Sequence, residues 1–330
     1  MNNSVSVVIP VYNAAAFVTE AVESALAQPE TTEIILIEDA SPDHSLEVCQ
    51  DLAEKYPNVR LYQHPGGTNL GAGASRNLGI EKSSAPLIAF LDADDFYLPG
   101  RFTKTREILE ADPTCDGVYE AIGIHFENET VKQRWLSSNM SGVQMTTVTE
   151  KVSPEDLFRI LVKGWSGHIH LNGLVIRRAV LDKTGMMDVT IADTLHEDTD
   201  FILRLAAVGR LMPGRLDEPV AKRRVHAENR ISISRSPERV YRERMKMWKA
   251  TYAWCRKHAE KEKRKLLFKR IMSDYEAEMQ RKKSKPKFPT TFRHRWQLFV
   301  WLLEFPGAIL EAAYWQELVP AFLWNSFRKR

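Results

Sequence analysis

The sequence predicts an α/β fold with a mostly parallel sheet flanked by helices, followed by a C-terminal helical extension. Over residues 4–91, short apolar runs alternate with amphipathic stretches, which is the pattern of consecutive β-α-β units. Beyond about residue 235, strand-like runs stop and long helical stretches rich in Lys, Arg, Trp and Met follow. We therefore expect one domain over residues 1–235 and a helical region over residues 236–330.

Strands and helices alternate regularly through the first part of the chain. Residues 34–37 and 87–91 are apolar throughout, as expected for strands that are buried on both faces of a parallel sheet. The predicted order is strand 5–11, helix 15–27, strand 33–37, helix 45–55, strand 59–62, helix 74–81 and strand 87–91.

The central region mixes strand and helix signals. Residues 117–127 predict a further strand. A helix is predicted to begin after Ser153, because this residue type is a good N-cap and Pro154 suits the first helical position. Another helix is predicted to open at His196, with Leu203 and Leu205 on its apolar face.

The composition excludes several classes of protein. With 44% hydrophobic and 27% charged residues, the 330-residue chain is neither disordered nor collagen-like. Its 46 Lys and Arg against 43 Asp and Glu give a net charge of +3, too small to indicate nucleic acid as the partner. Three cysteines without metal-type spacing indicate neither a disulfide framework nor a zinc site. We expect a reducing, cytoplasmic compartment and no signal peptide.

Polar clusters follow three of the predicted strands. Residues 10–13 follow the first strand, residues 38–41 the second, and residues 92–95 the strand at 87–91. Ligands of open α/β sheets bind outside the carboxyl ends of the strands. Each cluster alone is also consistent with a solvated turn, so the prediction of a ligand site depends on their convergence.

The third cluster predicts a metal site. Asp92 and Asp94 are alternate carboxylates that leave a buried strand, and such oxygen ligands hold Mg²⁺ or Mn²⁺ together with substrate phosphates. Together with Asp95 they repel one another unless a cation or a basic group compensates. A turn whose acids face water is the alternative.

Three further segments carry weaker signals. Residues 69–80 are Gly-rich and would present backbone N–H groups or Arg76 to a phosphate, or else form a turn with packing glycines. Glu197 and Asp198 lie in the first turn of a helix, where acids are common. His226 lies among basic residues, where a surface position is the ordinary explanation.

Taken in order, these segments resemble family 2 glycosyltransferases, whose GT-A fold is a Rossmann-like α/β arrangement. The resemblance covers about residues 4–232. It departs from the family pattern at Glu38 and Ala40, where Asp and Gly are frequent, and at residues 185–188. The segments that carry it are Val8-Ile-Pro-Val-Tyr-Asn13, Glu38-Asp-Ala-Ser41, residues 69–80, Phe90-Leu-Asp-Ala-Asp-Asp95, Glu197-Asp198 and Arg224-Val-His226.

The resemblance implies a nucleotide site and a metal site. The implied nucleotide-binding residues are Pro10, Val11, Tyr12, Asp39, Arg76 and Asp92. Tyr12 would stack on the base, and Asp39 would accept a hydrogen bond from a uracil-type N–H. Arg76 would neutralise phosphate or orient Asp92, and both roles stay open. Asp94, Asp92 and His226 would hold Mn²⁺ or Mg²⁺, with Asp94 as the direct ligand.

The resemblance also implies the reaction. Asp198 would be the catalytic base and Glu197 would orient the acceptor, with inversion at the anomeric carbon. The donor would be a nucleoside diphosphate sugar, with UDP favoured. The acceptor would be a hydroxyl of a glycan or a lipid-linked molecule in cell-surface polysaccharide synthesis. A sugar nucleotidyltransferase and a nucleotide-sugar-binding scaffold without turnover are the alternatives.

The C-terminal segment leaves two interpretations open. Residues 296–315 are aromatic and apolar, but Glu304, Pro306 and Glu311 interrupt them too often for a transmembrane helix. A helix lying in the interface at the inner face of the membrane would give peripheral membrane contact. A helical hairpin that packs on the catalytic domain or forms a homodimer explains the same pattern.

Overall fold

A computed structural model of the chain describes residues 4–137, 145–164, 166–226 and 236–282. The chain divides into two compact units, Met1–Tyr275 and Glu276–Arg330. The division at residue 235 that the composition predicts stays a prediction. Of the second unit, the structure describes residues 276–282 alone.

The first unit contains a seven-stranded sheet that is parallel over most of its width. Strands β1, β2, β3 and β4 pair in parallel, as do β6 and β10, whereas β9 runs antiparallel to both of its neighbours. From edge to edge the strands are β10 (Leu211–Pro213), β6 (Gly117–Tyr119), β9 (Leu174–Arg177), β4 (Leu87–Phe90), β1 (Val5–Val11), β2 (Thr31–Glu38) and β3 (Val59–Gln63).

A smaller sheet of four strands accompanies the large one. In it, β11 pairs in parallel with β7 and antiparallel with β5, and β7 pairs antiparallel with β8. Its order is β5 (Phe96–Tyr97), β11 (Ala221–Val225), β7 (Ile122–Phe126) and β8 (Met145–Thr146).

Ten helices are assigned within the described ranges. The longest are α9 and α10, and α9 packs against α8. The helices are α1 (Val18–Leu26), α2 (Ser45–Lys55), α3 (Ala72–Lys82), α4 (Thr103–Ala111), α5 (Glu129–Leu136), α6 (Pro154–Lys163), α7 (Leu181–Thr184), α8 (Glu197–Val208), α9 (Pro237–His258) and α10 (Lys261–Lys282).

The structure confirms the predicted α/β fold with its parallel sheet, and it confirms the first strand and the helix Ser45–Lys55 at their predicted bounds. The helix predicted at 15–27 begins only at Val18, because Asn13 has a positive φ of 53° and a turn follows it. The predicted α6 cap is also present, since the Ser153 side chain accepts a hydrogen bond from the N–H of Asp156.

The single strand predicted over residues 117–127 is two strands in different sheets. The chain leaves β6 at Glu120, whose carboxylate is fully buried and accepts hydrogen bonds from Arg101 and Thr105, each at 2.9 Å. It enters β7 in the small sheet at Ile122. A buried carboxylate with charged and hydroxyl partners thus lies where the chain passes from the large sheet to the small one.

Glu33 joins two parallel strands at the end of the sheet opposite the polar clusters. Its Oε1 accepts hydrogen bonds from the Ser6 hydroxyl at 2.6 Å, from the backbone and hydroxyl of Ser84, and from the Ala85 N–H at 3.2 Å. Arg60 lies 3.3 Å from its second oxygen. The residue is 4% exposed, so a neutral amide in its place would weaken these charge-assisted hydrogen bonds and remove the ion pair with Arg60.

We predict that Glu33→Gln lowers the free energy of unfolding by about 1–3 kcal/mol at neutral pH, measured by chemical denaturation. Burial raises the pKa of Glu33, but hydrogen bonds from Ser6, Ser84 and Ala85 lower it overall below the ordinary 4.5. Because the folded pKa is depressed, this stabilisation is fully present above pH 4.5 and is lost as the pH falls through the folded pKa. The difference in the free energy of unfolding between wild type and Glu33→Gln should therefore become smaller as the pH falls below 4.5.

Glu54→Gln, on the exposed surface of α2, is the matched control and should leave the unfolding midpoint unchanged. A Glu33→Gln variant that unfolds at the same midpoint as wild type would contradict the role given to Glu33.

Within the described ranges, no helix is both long and apolar enough to cross a bilayer. The aromatic segment at 296–315 and the basic residues around it lie outside those ranges. Peripheral membrane contact, homodimerisation and packing on the catalytic domain therefore stay predictions for that segment.

Candidate active site

A cleft of about 480 Å³ lies at the carboxyl ends of β1, β2 and β4. All ten residues that the sequence predicts for nucleotide, metal and catalysis line it. They are Pro10, Val11, Tyr12, Asp39, Arg76, Asp92, Asp94, Glu197, Asp198 and His226. The parallel register of β1 with its neighbours brings the three polar clusters to this one edge, as the sequence predicts.

Tyr12 and Asp39 form the part of the cleft next to β1 and β2. Tyr12 is 53% exposed, so its ring is accessible for stacking, whereas the Val11 side chain is fully buried in the core. Val11 can therefore meet a ligand through its main chain alone. The Asp39 N–H donates to the Val11 carbonyl at 2.9 Å, which joins the two strand ends.

The Asp39 carboxylate organises the Gly-rich segment. Its two oxygens accept the backbone N–H groups of Leu70 at 2.8 Å and Gly71 at 2.9 Å. The Asn69 side chain donates to the Asp39 carbonyl at 2.9 Å. These two backbone N–H groups are therefore engaged by Asp39. Ala40 beside it has a φ of 56°, a conformation in which glycine is less strained.

Arg76 lies beside the first acid of the loop that follows β4. Its Nη2 donates to Asp92 Oδ1 at 2.6 Å, and the arginine is 7% exposed. Burial raises the pKa of Asp92, but Arg76, then His170 and Arg223, lower it overall. Asp92 is therefore ionised at neutral pH. The structure therefore contains the contact of Arg76 with Asp92, and neutralisation of a phosphate by Arg76 stays a prediction.

Asp95 holds the acidic loop in place. Its Oδ1 accepts the backbone N–H of Arg224 at 2.7 Å, and its Oδ2 accepts the Asn172 side-chain amide at 2.6 Å. Asp95 is 1% exposed, and burial followed by the charges of Asp94 and Asp92 raises its pKa well above the ordinary value. The third acid of the cluster thus has its hydrogen-bonding capacity used inside the fold.

Two overlapping sets of side chains have the chemistry of a divalent-cation site. In the set that the sequence predicts, Asp94 Oδ2 lies 3.2 Å from His226 Nε2, and Asp92 lies two residues away. A second set, Asp92, Asp95 and His170, has its ligand atoms within 4.8 Å of one another. The side chains of Asp92 and Asp94 are 28% and 31% exposed, which leaves them accessible to an ion, whereas Asp95 is enclosed. Among the described residues, the second set alone brings three ligand atoms this close together, whereas Asp94 of the first set is more accessible than Asp95, so the predicted set stays a prediction.

Glu197 and Asp198 begin α8 on another side of the cleft. Glu197 is 5% exposed, and Asp198 is half-buried with its Oδ1 accepting the Thr199 N–H at 2.6 Å. Helix α3 approaches closely here, since a Cβ added at Gly73 would lie 3.3 Å from Glu197 Cγ. The charges of Asp198 and Glu197 act on Arg76, which therefore lies within electrostatic range of both acidic groups.

The N-terminal half of α8 is fixed by a buried network. Arg204 Nε donates to Asp200 Oδ2 at 2.8 Å, and its Nη1 donates to the Thr184 and Met186 carbonyls, each at 2.8 Å. The Thr251 hydroxyl of α9 donates to Asp200 Oδ1 at 2.6 Å. Helix α9 thus positions the helix that carries the acidic pair.

Sequence reasoning missed several residues of the cleft. His170 and Arg223 both line it, and Asn172 binds Asp95 from the turn before β9. The polar side chains at alternate positions over residues 168–172 (His168, His170 and Asn172) were the available signal.

Comparison with known proteins decides the family. The profile described as "Glycosyl transferase family 2" matches residues 6–184, more than half of the chain. The chain belongs to glycosyl transferase family 2. Its match to the minor teichoic acid biosynthesis protein GgaB of Bacillus subtilis has 38% identity over 153 residues, 46% of this chain and 17% of the relative. Matches to the first curated relatives cover 17% to 42% of the relatives' own lengths.

Two solved structures share the GT-A fold with this family 2 member. S. aureus TarS 1–349 in complex with UDP matches with a TM-score of 0.57 and 18% identity over 83% of this chain and 72% of that one. The mannosyltransferase PcManGT from Pyrobaculum calidifontis, in complex with GDP-Man and Mn²⁺, matches with a TM-score of 0.51 and 16% identity over 95% of this chain and 82% of that one. At these identities the likeness establishes the fold.

We predict that Mn²⁺ binds through Asp94 and that Asp94→Asn lowers its affinity roughly tenfold or more, measured by electron paramagnetic resonance of free Mn²⁺. His170→Gln is the discriminating control, because it removes a member of the second ligand set and should leave the affinity nearly unchanged. If His170→Gln lowers the Mn²⁺ affinity and Asp94→Asn does not, the ion is bound by Asp92, Asp95 and His170 instead.

Proposed function

We propose that the protein is an inverting, metal-dependent glycosyltransferase that moves a sugar from a nucleoside diphosphate donor to a hydroxyl of a glycan or lipid-linked acceptor. The observation that carries the proposal is the single cleft, which brings together an exposed aromatic ring, an acidic loop and a second acidic pair. Sugar transfer from a nucleotide needs three parts: an aromatic surface on which the nucleobase stacks, a site for the diphosphate and its cation, and a carboxylate that accepts the proton of the acceptor hydroxyl.

We propose a UDP-sugar as the donor. Tyr12 would stack on the base, and Asp39 would accept the uracil N–H, since each of its oxygens has a further lone pair beyond the bond it accepts from residues 70 and 71. The TarS structure in complex with UDP supports this choice. Because PcManGT is in complex with GDP-Man, the binding of GDP should be measured beside that of UDP.

We propose Mn²⁺ or Mg²⁺ as the cofactor, held by Asp94, Asp92 and His226. The hard carboxylate oxygens and the imidazole suit either ion, and the Mn²⁺ complex of PcManGT supports the choice of Mn²⁺. When bound, the cation would offset the negative charge of the departing nucleoside diphosphate. Arg76 would keep Asp92 ionised and in place through its 2.6 Å contact.

Asp198 would act as the base. It would take the proton of the acceptor hydroxyl as the oxygen forms a bond to the anomeric carbon, while the bond from that carbon to the diphosphate oxygen breaks and its electron pair leaves with the nucleotide. Its Oδ1 already accepts the Thr199 N–H, so Oδ2 would receive the proton. Glu197 would orient the acceptor. One displacement with one base gives inversion.

We propose cell-surface polysaccharide synthesis as the setting. The match to GgaB, a protein of teichoic acid biosynthesis, supports a polymer as the acceptor class. The sugar and the linkage depend on side chains of the cleft that contact the substrate beyond the nucleotide.

We predict that Asp198→Asn keeps UDP affinity and lowers sugar transfer by about 10²–10⁴-fold, because it removes the base and leaves the donor contacts intact. Transfer is measured as UDP release and product mass with UDP-sugars against glycan and lipid-linked acceptors. Asp193→Asn is the matched control: Asp193 is exposed, lies five residues earlier and pairs with Lys246. It should leave transfer unchanged.

Loss of UDP affinity in step with transfer would remove Asp198 from the role of base. Two wild-type results would replace the proposed function: UDP binding without turnover on any acceptor indicates a scaffold, and synthesis of a nucleotide sugar from UTP and a sugar phosphate indicates a nucleotidyltransferase.

A further inference from the structure

Strand β11 carries two adjacent arginines that serve different purposes. Successive residues of a strand point to opposite faces of its sheet. Arg224 lies over the Phe17 ring at 5.2 Å and forms an ion pair with Glu20, so its charge is compensated within the fold. Arg223, on the opposite face, lies over the indole of Trp135 with its guanidinium carbon 5.4 Å from the ring centroid.

Trp135 is a fixed platform for Arg223. It lies on α5, is 8% exposed and meets the Phe126 ring edge-on at 6.1 Å. Val131 and Val225 belong to the same apolar cluster. A guanidinium that stacks on an indole keeps its N–H edge available for acceptors in its own plane, which suits bidentate binding of a carboxylate or a phosphate.

Arg223 lines the cleft. Among the described residues, no carboxylate oxygen lies within 4.0 Å of its guanidinium nitrogens, whereas Arg76 in the same cleft is bonded to Asp92. Burial lowers the pKa of His170; Asp92 and Asp198 raise it, and Arg223 lowers it. Arg223 therefore shares its electrostatic surroundings with the proposed base.

We propose that Arg223 binds an anionic group, a carboxylate or a phosphate, on the part of the substrate beyond the nucleotide. The inference rests on the proposed function, because it takes Tyr12 and Asp39 as the nucleotide side and Asp198 as the acceptor side. An oxyanion held by Arg223 belongs either to the transferred sugar, as the carboxylate of a uronic acid, or to the acceptor. Arg223 is then a specificity-determining residue of the transfer reaction.

The experiment is calorimetric titration in the presence of Mn²⁺ with probes that differ by one anionic group. UDP-glucose is compared with UDP-glucuronic acid, and UDP-galactose with UDP-galacturonic acid. Glycerol 3-phosphate and glycerol are titrated into the UDP-loaded protein as probes of the acceptor side. Wild type, Arg223→Gln and Lys222→Gln are measured with every probe and with UDP alone.

Wild type should bind at least one anionic probe about tenfold or more tightly than its neutral counterpart, and Arg223→Gln should lose that preference. UDP affinity should stay unchanged in Arg223→Gln, which also shows that the variant is folded. Lys222→Gln removes the same charge from the neighbouring residue on the opposite face of β11 and should keep the preference. A preference for the uronic acid assigns the anion to the sugar, and one for glycerol 3-phosphate assigns it to the acceptor.

Three results would overturn the inference. Wild type shows no preference for an anionic probe over its neutral counterpart, or Arg223→Gln shows the same preference as wild type. In the third, Arg223→Gln binds UDP more weakly by the same factor as it binds the anionic probe. The last result would place Arg223 on the diphosphate. If wild-type protein binds neither UDP nor GDP, the proposed function itself fails, and the inference fails with it.

Discussion

The carboxylate of Asp95 joins the acidic loop to both sheets, and the geometry of the cleft depends on that joint. One oxygen accepts the N–H of Arg224 on β11 of the small sheet, and the other accepts the side chain of Asn172, which precedes β9 of the large sheet. Asn172 in turn accepts the N–H of Asp92 at 3.1 Å. The loop is therefore held at its first and last acids, and Asp94 between them has a fixed place beside His226.

The charge of the cleft gives a physical reason for the metal dependence that we propose. Six carboxylates and two arginines line it, and Arg76 is already committed to Asp92. A nucleoside diphosphate would add negative charge to a site that has an excess of it, so its binding without a divalent cation is unfavourable. The same excess makes Arg223 significant, because no carboxylate of the described part of the chain forms an ion pair with it. Arg223 can attract an anionic part of the substrate that the remaining side chains would repel.

The sequence predicts the elements whose causes are local. Strand Val5–Val11 follows from its continuous apolar run, and the polar residues after β1, β2 and β4 converge because parallel strands share one edge. The residues that close the site are not predictable in this way. His170, which lines the cleft, and Asn172, which binds Asp95, both precede β9, an antiparallel strand inserted between β4 and β6, and nothing in the neighbouring sequence encodes that long-range pairing. The metal-binding role of Asp94 followed from the alternate carboxylates after a buried strand, whereas the roles given to Asp198 and His226 came from the family resemblance, since hydrophobic periodicity carries no chemistry.

A crystal structure of the protein with UDP and Mn²⁺, with the ion located by its anomalous scattering, tests the account most directly. We expect uracil against Tyr12 and Asp39, and Mn²⁺ between the diphosphate and the carboxylate of Asp94, within the cleft that also contains Asp198. UDP bound outside this cleft, or Mn²⁺ held by Asp95 and His170 away from the diphosphate, would contradict it.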